Sequence, residues 1–321
     1  MYMFKYILKR LGLMLMTFII IFTICFVLIK MLPVDLESVG IGKDVDILKR
    51  QFDARGYNDP IPTQFVKYVK RIILDGDWGI GVTIGEYRNM NVWDVFVEKL
   101  PPTILINLYS SLIAVPIGIA LGSFAALKKN KWQDHTISTL VMVFISVPSF
   151  VYAFLVQYFL CFKLGLFDIT MKGGFDYFRP ETFRSMMPAV LSLAFGSIAG
   201  YTRFTRAELT EVLTSEFMLL ARTKGLTRAQ ATRRHALRNA MVPIFPMIIG
   251  EFISVLSGSL IIESTFSVPG VGKLYLAAIN AKDYDFFMLL SAFYTFVGLA
   301  AGIVVDISYG FIDPRIRMGA K

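Results

Sequence analysis

The sequence predicts an all-α polytopic membrane protein, and two observations carry this prediction. The 321-residue chain is 55% hydrophobic with a mean hydropathy of +0.59, which is too apolar for a soluble domain, whose surface must carry charge. Its apolar residues are also gathered into runs of about 20 residues, the length that crosses the hydrocarbon core of a bilayer. The six predicted spans are residues 11–32, 103–127, 136–162, 186–202, 240–262 and 286–305. The fourth run is short, but its helix can continue beyond the bilayer to Val212.

Basic residues predict the orientation of these spans. Lys5, Lys9 and Arg10 precede the first run, which is too long for a cleaved signal peptide and has no small-residue cleavage site, so we interpret it as an anchor. The two termini and the loops between spans two and three and between spans four and five carry 17 Lys and Arg, whereas the opposite short loops carry six. The positive-inside rule then predicts that both termini are cytoplasmic. The net charge of +9 lies largely in short loops and does not indicate nucleic-acid binding.

The first span is followed by a polar segment that the orientation places outside the cell. We predict a small external subdomain here, with amphipathic helices at residues 44–52 and 63–73 and a third helix at 91–100 lying against the membrane. A solvated linker is the alternative, which the aromatic residues of the segment disfavour. The chain is thereby divided into an N-terminal helix (1–33), an external subdomain (34–102) and a membrane core (103–321).

The second of these external helices has an apolar face at helical spacing. It is expected to bury Phe65, Val66, Val69 and either Ile72 or Ile73. Turns are predicted on both sides of it, because Asn, Asp, Gly and Pro are concentrated at residues 58–60 and 75–77.

A polar, basic stretch at residues 216–239 interrupts the apolar second half of the chain. Ser215 is positioned to cap a first helix, and Gly225 supplies the left-handed residue that ends it. Thr227 and Gln230 have the spacing of a capping box that opens a second helix. The predicted unit is therefore helix, glycine bend, helix. It suits either a basic loop lying on anionic lipid headgroups or a docking element for a soluble partner.

Prolines and a glutamate inside the spans mark further candidate positions. Pro148 in the third span interrupts helical hydrogen bonding, which suits either a hinge in a moving pore or a static packing kink. Pro243 is expected to begin a new segment after the basic stretch.

Glu251 lies in the middle of the fifth span, where a charge is costly, so we expect it to face the bundle interior, a partner or water. Ser254 and Gly258 share its helical face. This polar stripe is either part of a solute path or a packing surface.

The side chains that could ligate a soft metal or form a disulfide are dispersed. Cys25 and Cys161 lie within apolar runs, and His135 and His235 are the two histidines of the chain. We therefore expect inert packing cysteines, no disulfide and no structural metal site.

Five patterns in the sequence are informative when they are taken together. They are 221–226 (Ala-Arg-Thr-Lys-Gly-Leu) with 235–240 (His-Ala-Leu-Arg-Asn-Ala), Asp59-Pro60 with Gln64, Tyr68 and Gly76-Asp77-Trp78-Gly79, Ser146-Val147-Pro148-Ser149-Phe150, Glu263-Ser264-Thr265-Phe266 with Pro269-Gly270-Val271-Gly272, and Asp313-Pro314-Arg315. The set resembles the B-type membrane subunits of ABC importers for dipeptides and oligopeptides. Trp78 replaces a small aliphatic residue of the family pattern. The first pattern resembles the cytoplasmic "EAA" loop of the family, here residues 213–239.

The resemblance implies the transmembrane fold of a type I ABC importer and a non-catalytic permease subunit in the cytoplasmic membrane. Such a subunit forms half of an alternating-access path for di- or oligopeptides, and family members also carry nickel, antibiotics or oligosaccharides. The implied partners are a second homologous permease subunit, two ATPase subunits, an extracellular substrate-binding protein and the lipid bilayer, with no nucleic acid. No cofactor is expected in this chain, because ATP and Mg²⁺ are expected in the ATPase subunits.

The resemblance and the patterns above predict three groups of functional residues. The residues predicted to couple to the ATPase are Glu216, Phe217, Leu220, Ala221, Arg222, Lys224, Gly225, Leu226, His235, Arg238 and Asn239. The residues predicted to line the solute path are Ser146, Pro148, Glu251, Ser254 and Gly258. The residues predicted to contact the extracellular binding protein are Asp77, Trp78, Pro269 and Gly270. No catalytic or metal-binding residue is predicted.

Two other functional classes make different demands on the sequence. An intramembrane enzyme needs paired acids, a Ser/Lys dyad or a His-Glu-x-x-His motif within the spans, and none of these patterns is present there. A secondary transporter is expected to show inverted repeats and buried coupling acids, for which Glu251 is the one candidate. Uptake that depends on ATP rather than on an ion gradient separates the importer from this alternative.

Overall fold

The computed structural model describes residues 2–32, 43–172 and 176–312, which are mainly helical. The helices are α1 (Tyr2–Met31), α2 (Lys43–Ala54), α3 (Ile61–Asp75), α4 (Val92–Leu127), α5 (Trp132–Ser146), α6 (Ser149–Val156), α7 (Pro180–Leu213), α8 (Glu216–Thr223), α9 (Arg228–Ala231), α10 (Leu237–Ser254), α11 (Leu260–Thr265), α12 (Val271–Ala281) and α13 (Tyr284–Ile312). Short 3₁₀ turns occur at Gly85–Tyr87 and Val255–Ser257, and π-helical turns at Gln157–Lys163 and Thr232–Ala236.

The chain forms two compact units, and the three sequential parts predicted from the sequence stay a prediction. The first unit joins Met1–Thr103 to Pro269–Ala300, and the second joins Ile104–Val268 to Ala301–Lys321. The helices after Pro269 fold back onto the segment before Thr103, because Val92 and Phe96 of α4 share an apolar cluster with Leu274 of α12. Long-range packing of this kind cannot be read from composition along the chain.

Among the described residues, five helices are long and apolar enough to cross a membrane. They are Lys5–Met31, Val92–Leu127, Pro180–Leu213, Arg228–Ser257 and Tyr284–Gly310. The predicted third span is a pair of helices, α5 and α6 with its π-helical extension, that are bent by 102°. The predicted total of six spans is therefore reached when the bent pair counts as one.

The bend between α5 and α6 lies at Val147 and Pro148. Val147 has an extended backbone with ψ of 126°, and Pro148 has ψ of 146°. A proline carries no amide hydrogen and disfavours helical backbone at the residue before it, so the helix ends at Ser146 and begins again at Ser149. The interruption predicted from Pro148 is present, and it is a sharp break rather than a mild kink.

In the first unit, α3 packs along the second half of α1. The rings of Phe65 and Tyr68 on α3 have centroids 5.2 and 5.5 Å from that of Phe26 on α1. Gln64 and Tyr68 of this helix are buried. The prediction that Val66 is buried is wrong, because its side chain is exposed. The packed face follows the i, i+4 spacing of Gln64 and Tyr68, and Val66 lies on the opposite side.

Helix α4 is continuous, although the sequence suggests a separate external helix before the second span. It passes through Pro101 and Pro102 without interruption. Its first turns are held by packing, because Val92 and Phe96 are buried against Phe286 of α13 in the same apolar cluster. Tertiary packing thus outweighs the loss of helical donors at the two prolines.

In the second unit, α7 is the central helix and packs against α5, α6 and α10. Met186 and Val190 of α7 are completely buried, together with Ile106 of α4. Helix α4 also approaches α7 closely at Gly122, where an added Cβ would lie 2.6 Å from the carbonyl oxygen of Thr202. Glycine is required at this crossing because any side chain would collide with the backbone of α7.

The predicted fifth span is broken near its end. Helix α10 ends at Ser254, a 3₁₀ turn continues to Ser257, and α11 begins at Leu260. Gly258 lies between them with φ of 63° and ψ of −176°. This conformation is accessible almost exclusively to glycine, so the chain leaves the helical path at that residue.

The segment boundary predicted at Pro243 is wrong. Helix α10 begins at Leu237 and contains both Pro243 and Pro246. It continues from α9 through the π-helical turn at Thr232–Ala236. Ala240 is buried in an apolar cluster with residues of α8 and α9, and this packing holds the helix together across the prolines.

Candidate functional site

The bend between α8 and α9 has the hydrogen bonds of a Schellman motif. The amide of Gly225 donates to the carbonyl of Arg222 at 3.0 Å, and the amide of Leu226 donates to that of Ala221 at 3.3 Å. Gly225 has φ of 91°, which confirms its predicted left-handed conformation. The two short helices are therefore joined by a bend whose direction is fixed by backbone bonds.

The two predicted helix caps have different outcomes. Thr227 and Gln230 form the predicted capping box, in which the Thr227 side chain accepts from the Gln230 amide at 3.3 Å and the Gln230 side chain accepts from the Thr227 amide at 3.0 Å. Ser215 precedes α8, but its hydroxyl donates to the carbonyl of Val212 at 2.6 Å and makes no cap bond. The prediction of a side-chain cap at Ser215 is wrong, because the preceding helical turn offers a nearer acceptor.

One face of this helix–bend–helix unit is buried within the second unit. The buried cluster contains Ala126, Leu209, Met218, Ala221, Ala231, Ala236 and Ala240. Ala221, a predicted coupling residue, thus lies inside, and Leu226 is half-buried against the same cluster. Small side chains at most of these positions let α8 and α9 lie close to α7, so the two helices are attached to the membrane-spanning helices.

The opposite face of the unit is exposed. It carries the other predicted coupling residues, Glu216, Phe217, Leu220, Arg222, Lys224, Gly225, His235, Arg238 and Asn239. Phe217 is 41% exposed, Leu220 is 56% exposed and Leu219, which sequence analysis missed, is 65% exposed. Apolar side chains displayed beside cationic ones are typical of a protein-docking surface. We call Phe217, Leu219 and Leu220 the apolar tip of α8.

A buried ion pair that the sequence did not reveal connects α5 to α7 in the same unit. Asp134 is 1% exposed and accepts from Nη2 of Arg206 at 2.8 Å through Oδ2, while Nε of Arg206 donates to Oδ1. The amide of Asn130 also donates to Oδ2 at 2.9 Å. The one sequence signal was an acidic residue at the beginning of an apolar run. The pair fixes the start of α5 against the end of α7 that leads to α8.

Glu251 makes a polar contact inside the second unit. Its Oε1 accepts from the hydroxyl of Ser197 on α7 at 2.9 Å. Ser254 is exposed, and its hydroxyl donates to the carbonyl of Gly250 at 2.9 Å. Gly258 lies beyond the end of α10, so the expectation that it shares a continuous helical face with Glu251 is wrong. The structure brings Glu251 and Ser254 onto one helix and separates Gly258 from them.

Ser146 and Pro148 lie at the break between α5 and α6, and both are exposed. Ser146 lines a cleft of about 560 Å³ between α5 and α7. Arg203 and Thr202 of α7 also line this cleft. The path role predicted for Ser146 and Pro148 stays a prediction. The side chain of Ser146 is accessible from the cleft.

The four residues predicted to contact a binding protein lie in the first unit. Asp77 is half-buried, accepts from the Gly79 amide at 2.8 Å and lies 3.6 Å from Arg71 Nε. Trp78 packs against the apolar cluster of α4 and α12. Pro269 is half-buried, and Gly270 is buried immediately before α12. Trp78 and Gly270 therefore contribute to packing of the unit.

Two aspartates before and within the first turn of α13 organise the first unit, and sequence analysis missed both. Asp283 Oδ2 accepts from the amides of Val82 and Thr83, each at 2.8 Å. Asp285 accepts from Arg55 at 2.6 Å and is 3.5 Å from Arg71. Both aspartates are buried. They hold the loop after α3 and the segment before it against the start of α13.

Family comparison gives matches along nearly the whole chain. Residues 118–318 match the family described as binding-protein-dependent transport system inner membrane component. Residues 3–107 match the N-terminal family of the same kind of membrane component. The matched C-terminal tail, with the Asp313-Pro314-Arg315 pattern, lies outside the described residues.

Curated proteins of similar length give the same result. The chain is 33% identical to the dipeptide transport system permease protein DppB of Lactococcus lactis, over 98% of this chain and 100% of that protein. It is 31% identical to DppB of Bacillus subtilis, over 99% and 100% of the two chains. It is 30% identical to the oligopeptide transport system permease protein OppB of Salmonella typhimurium, over 98% and 100%.

Two solved structures share the fold of part of the chain. One is an inward-facing form of the MetNI methionine ABC transporter, with a TM-score of 0.51 and 16% identity over 67% of this chain and 97% of that one. The other is an amino acid ABC transporter, with a TM-score of 0.51 and 20% identity over 68% and 94%. These likenesses confirm the predicted fold class.

Proposed function

Because the chain belongs to the inner membrane components of binding-protein-dependent transport systems, we propose that it forms half of the translocation path of an ATP-driven importer for di- or oligopeptides. The observation that carries this proposal is the similarity over nearly the full length of dipeptide and oligopeptide permeases. Nickel and oligosaccharides are the alternative substrates within the family.

The proposed assembly contains a second homologous permease subunit, two ATPase subunits and an extracellular substrate-binding protein. This chain is the non-catalytic membrane subunit, and ATP and Mg²⁺ bind the ATPase subunits. Both termini and the helix–bend–helix unit face the cytoplasm, which is supported by the excess of Lys and Arg in that unit and in the termini.

In this proposal the helix–bend–helix unit transmits motion from the ATPase to the membrane helices. Three features support it. The bend is fixed by backbone bonds at Gly225, the inner face is packed through Met218 against Leu209 of α7, and α9 continues into α10 through Thr232–Ala236. A displacement of the unit would therefore move α7 and α10 together, as alternating access requires.

The apolar tip of α8 is the part of this unit best suited to enter a groove on the ATPase. Burial of Phe217 and Leu220 in a complex would remove apolar surface from water, and the adjacent Arg222 and Lys224 would add charge complementarity at the rim. The exposed position of these side chains means that they contribute little to the stability of the chain by itself.

Transport by the reconstituted assembly tests the proposed function. In proteoliposomes, peptide uptake should require ATP and the binding protein, and it should continue when ion gradients are abolished. Uptake that is driven by an ion gradient without ATP would contradict the proposal and favour a secondary transporter.

Substitution of the apolar tip tests its coupling role. Phe217→Ser with Leu220→Ser should lower transport and peptide-stimulated ATP hydrolysis about tenfold or more, because truncation of a central hot-spot side chain costs about 2 kcal/mol or more. The amount of subunit in the membrane should be unchanged. The control is Phe178→Ser, which alters a still more exposed ring in another loop and should leave coupling intact. Normal coupling in the double variant would refute the docking role.

A further inference from the structure

A small pocket in the first unit is lined by an unusual concentration of cationic side chains. It has a volume of about 40 Å³ and lies between the end of α1, the turn after α2 and helix α3. The lining residues are Phe26, Lys30, Arg55, Tyr57, Gln64, Lys67, Tyr68 and Arg71. Four of these side chains are cationic and none is acidic, a lining that favours anions over cations.

The cations of this pocket are unequally neutralised. Arg55 and Arg71 share the carboxylate of Asp285, Arg71 also lies 3.6 Å from Asp77, and Lys67 contacts Asp59 at 2.6 Å. Lys30 has no hydrogen-bond acceptor among the described residues, although its Nζ atom is buried. The carboxylate of Asp285 attracts this ammonium group but is shared with Arg55 and Arg71. A buried ammonium group without hydrogen-bond acceptors is costly, so a further acceptor beside Lys30 would be stabilising.

Aromatic rings hold the Lys30 ammonium at the wall of the pocket. Its Nζ atom lies 3.5 Å from the ring centroid of Tyr57 and 3.9 Å from that of Tyr284. The faces of these rings attract a cation. They fix the position of the ammonium group without satisfying its hydrogen-bond donors.

Two more donors in the pocket are without an acceptor among the residues that the structure describes. They are the hydroxyl of Tyr68, whose side chain is 5% exposed, and Nε of Arg71, which lies 3.6 Å from Asp77 Oδ2, beyond hydrogen-bond distance. Burial and the nearby carboxylate of Asp285 raise the pKa of Tyr68 well above its ordinary value, so its hydroxyl keeps the proton that it can donate. Among the pocket residues that the structure describes, Oε1 of Gln64 is an acceptor without a hydrogen-bond partner. Water would use donors and acceptors equally, whereas an anion uses donors.

We propose that this pocket binds one small inorganic monovalent anion of halide size, held by Lys30 Nζ, Arg71 Nε and the Tyr68 hydroxyl. A cavity of about 40 Å³ exceeds the space needed by one water molecule and suits one small inorganic ion. The anion would join the end of α1 to α3 and neutralise the excess of buried cations. This inference concerns the stability of the first unit and does not depend on the transported solute.

Halide-dependent stability tests the proposal on the purified chain in detergent. At equal ionic strength, the unfolding midpoint in sodium chloride or bromide should exceed that in sodium gluconate by about 3 °C or more, because a ligand that binds the folded state stabilises it. Lys30→Met should abolish this difference. Tyr68→Phe removes one donor to a charged group and should weaken the apparent halide affinity about tenfold. The control is Lys70→Met. Lys70 is an exposed lysine of α3 that does not line the pocket, so this variant should retain the full halide response.

Direct location of bromide completes the test. An anomalous scattering peak beside Lys30 Nζ in bromide-grown crystals, reduced in Tyr68→Phe and absent in Lys30→Met, is the expected result. Equal unfolding midpoints in chloride and gluconate, or a halide response that both variants retain, would overturn the proposal. If Lys30→Met does not fold, the shift in halide affinity of Tyr68→Phe decides the question.

Discussion

Asp134 and Arg206 form a two-point ion pair that joins the first turn of α5 to the end of α7 that leads to α8. Both carboxylate oxygens accept from the guanidinium group, and the residues are 72 positions apart in the chain. Because Asp134 is almost completely buried while Arg206 is one-third exposed, loss of the pair leaves a charge that water can partly reach.

Asp134→Asn is therefore expected to destabilise the second unit by about 2 kcal/mol, the range of a hydrogen bond to a charged group. Thermal unfolding of the purified chain would measure this as a fall of roughly 4–8 °C in the midpoint. The control is Asp168→Asn, because Asp168 forms an exposed pair with Lys172 at 3.2 Å and should change the midpoint little. Equal effects of the two substitutions would contradict the structural role assigned to Asp134.

Gly225 is expected to tolerate residues according to their backbone preference rather than their size. An added Cβ at this position meets no atom within 4 Å, so the cost of Gly225→Val arises from the left-handed conformation and amounts to about 1–3 kcal/mol. Transport should be lost in Gly225→Val while the subunit remains inserted in the membrane. Gly225→Asn should retain much of the activity, because asparagine enters the left-handed region more readily. Uptake assays with immunoblots of the membrane fraction distinguish these outcomes. Normal transport by Gly225→Val would refute the role of the bend.

Charge reversal at Glu216 should weaken α8 and its docking. Glu216 lies in the first turn of the helix, where a negative side chain stabilises the positive end of the helix dipole. Glu216→Lys should lower both transport and peptide-stimulated ATP hydrolysis, and Glu216→Gln should lie between it and the parent chain. Normal coupling in the lysine variant would show that this charge has no part in docking.

Glu251 is expected to affect the transport of cationic solutes more than that of neutral ones. Glu251→Gln keeps the size of the side chain and can still accept from Ser197, the partner at 2.9 Å, while it removes the negative charge. Competition between a cationic and a neutral peptide in uptake assays would measure the difference. Ser197→Ala serves as the control, because it removes the hydrogen bond and leaves the charge. Equal losses for both peptides in Glu251→Gln would make the residue a packing element.

Cysteine labelling should establish the orientation of the chain. In a background with Cys25→Ala and Cys161→Ala, a cysteine at Lys129 or Arg228 should react only from the cytoplasmic side. A cysteine at Asp46 or Lys172 should react from outside, and all four positions are exposed. Membrane-impermeant maleimide on intact and permeabilised cells provides the measurement, and the reverse pattern would refute the predicted orientation.

The features that could be predicted from the sequence are those fixed by residues close together in the chain. The apolar runs identified the membrane-spanning helices because a bilayer imposes length and composition on each span separately. The bend at Gly225 and the capping box of Thr227 with Gln230 were predictable for the same reason, since their hydrogen bonds connect residues within five positions. Pro148 likewise disrupts the helix through its own backbone.

Tertiary structure decided the features that depend on distant residues. Proline signals near Pro101 and Pro243 were overruled by apolar packing, and the buried face of α3 was set by its contact with α1 rather than by its own apolar pattern. The ion pair of Asp134 with Arg206 joins residues that are 72 positions apart, and the contact of Asp285 with Arg55 spans 230 positions. The sequence identifies which side chains are charged, but the packing of the helices determines which of them form pairs. The buried ion pairs and the cationic pocket of the first unit could therefore be recognised only in the folded chain.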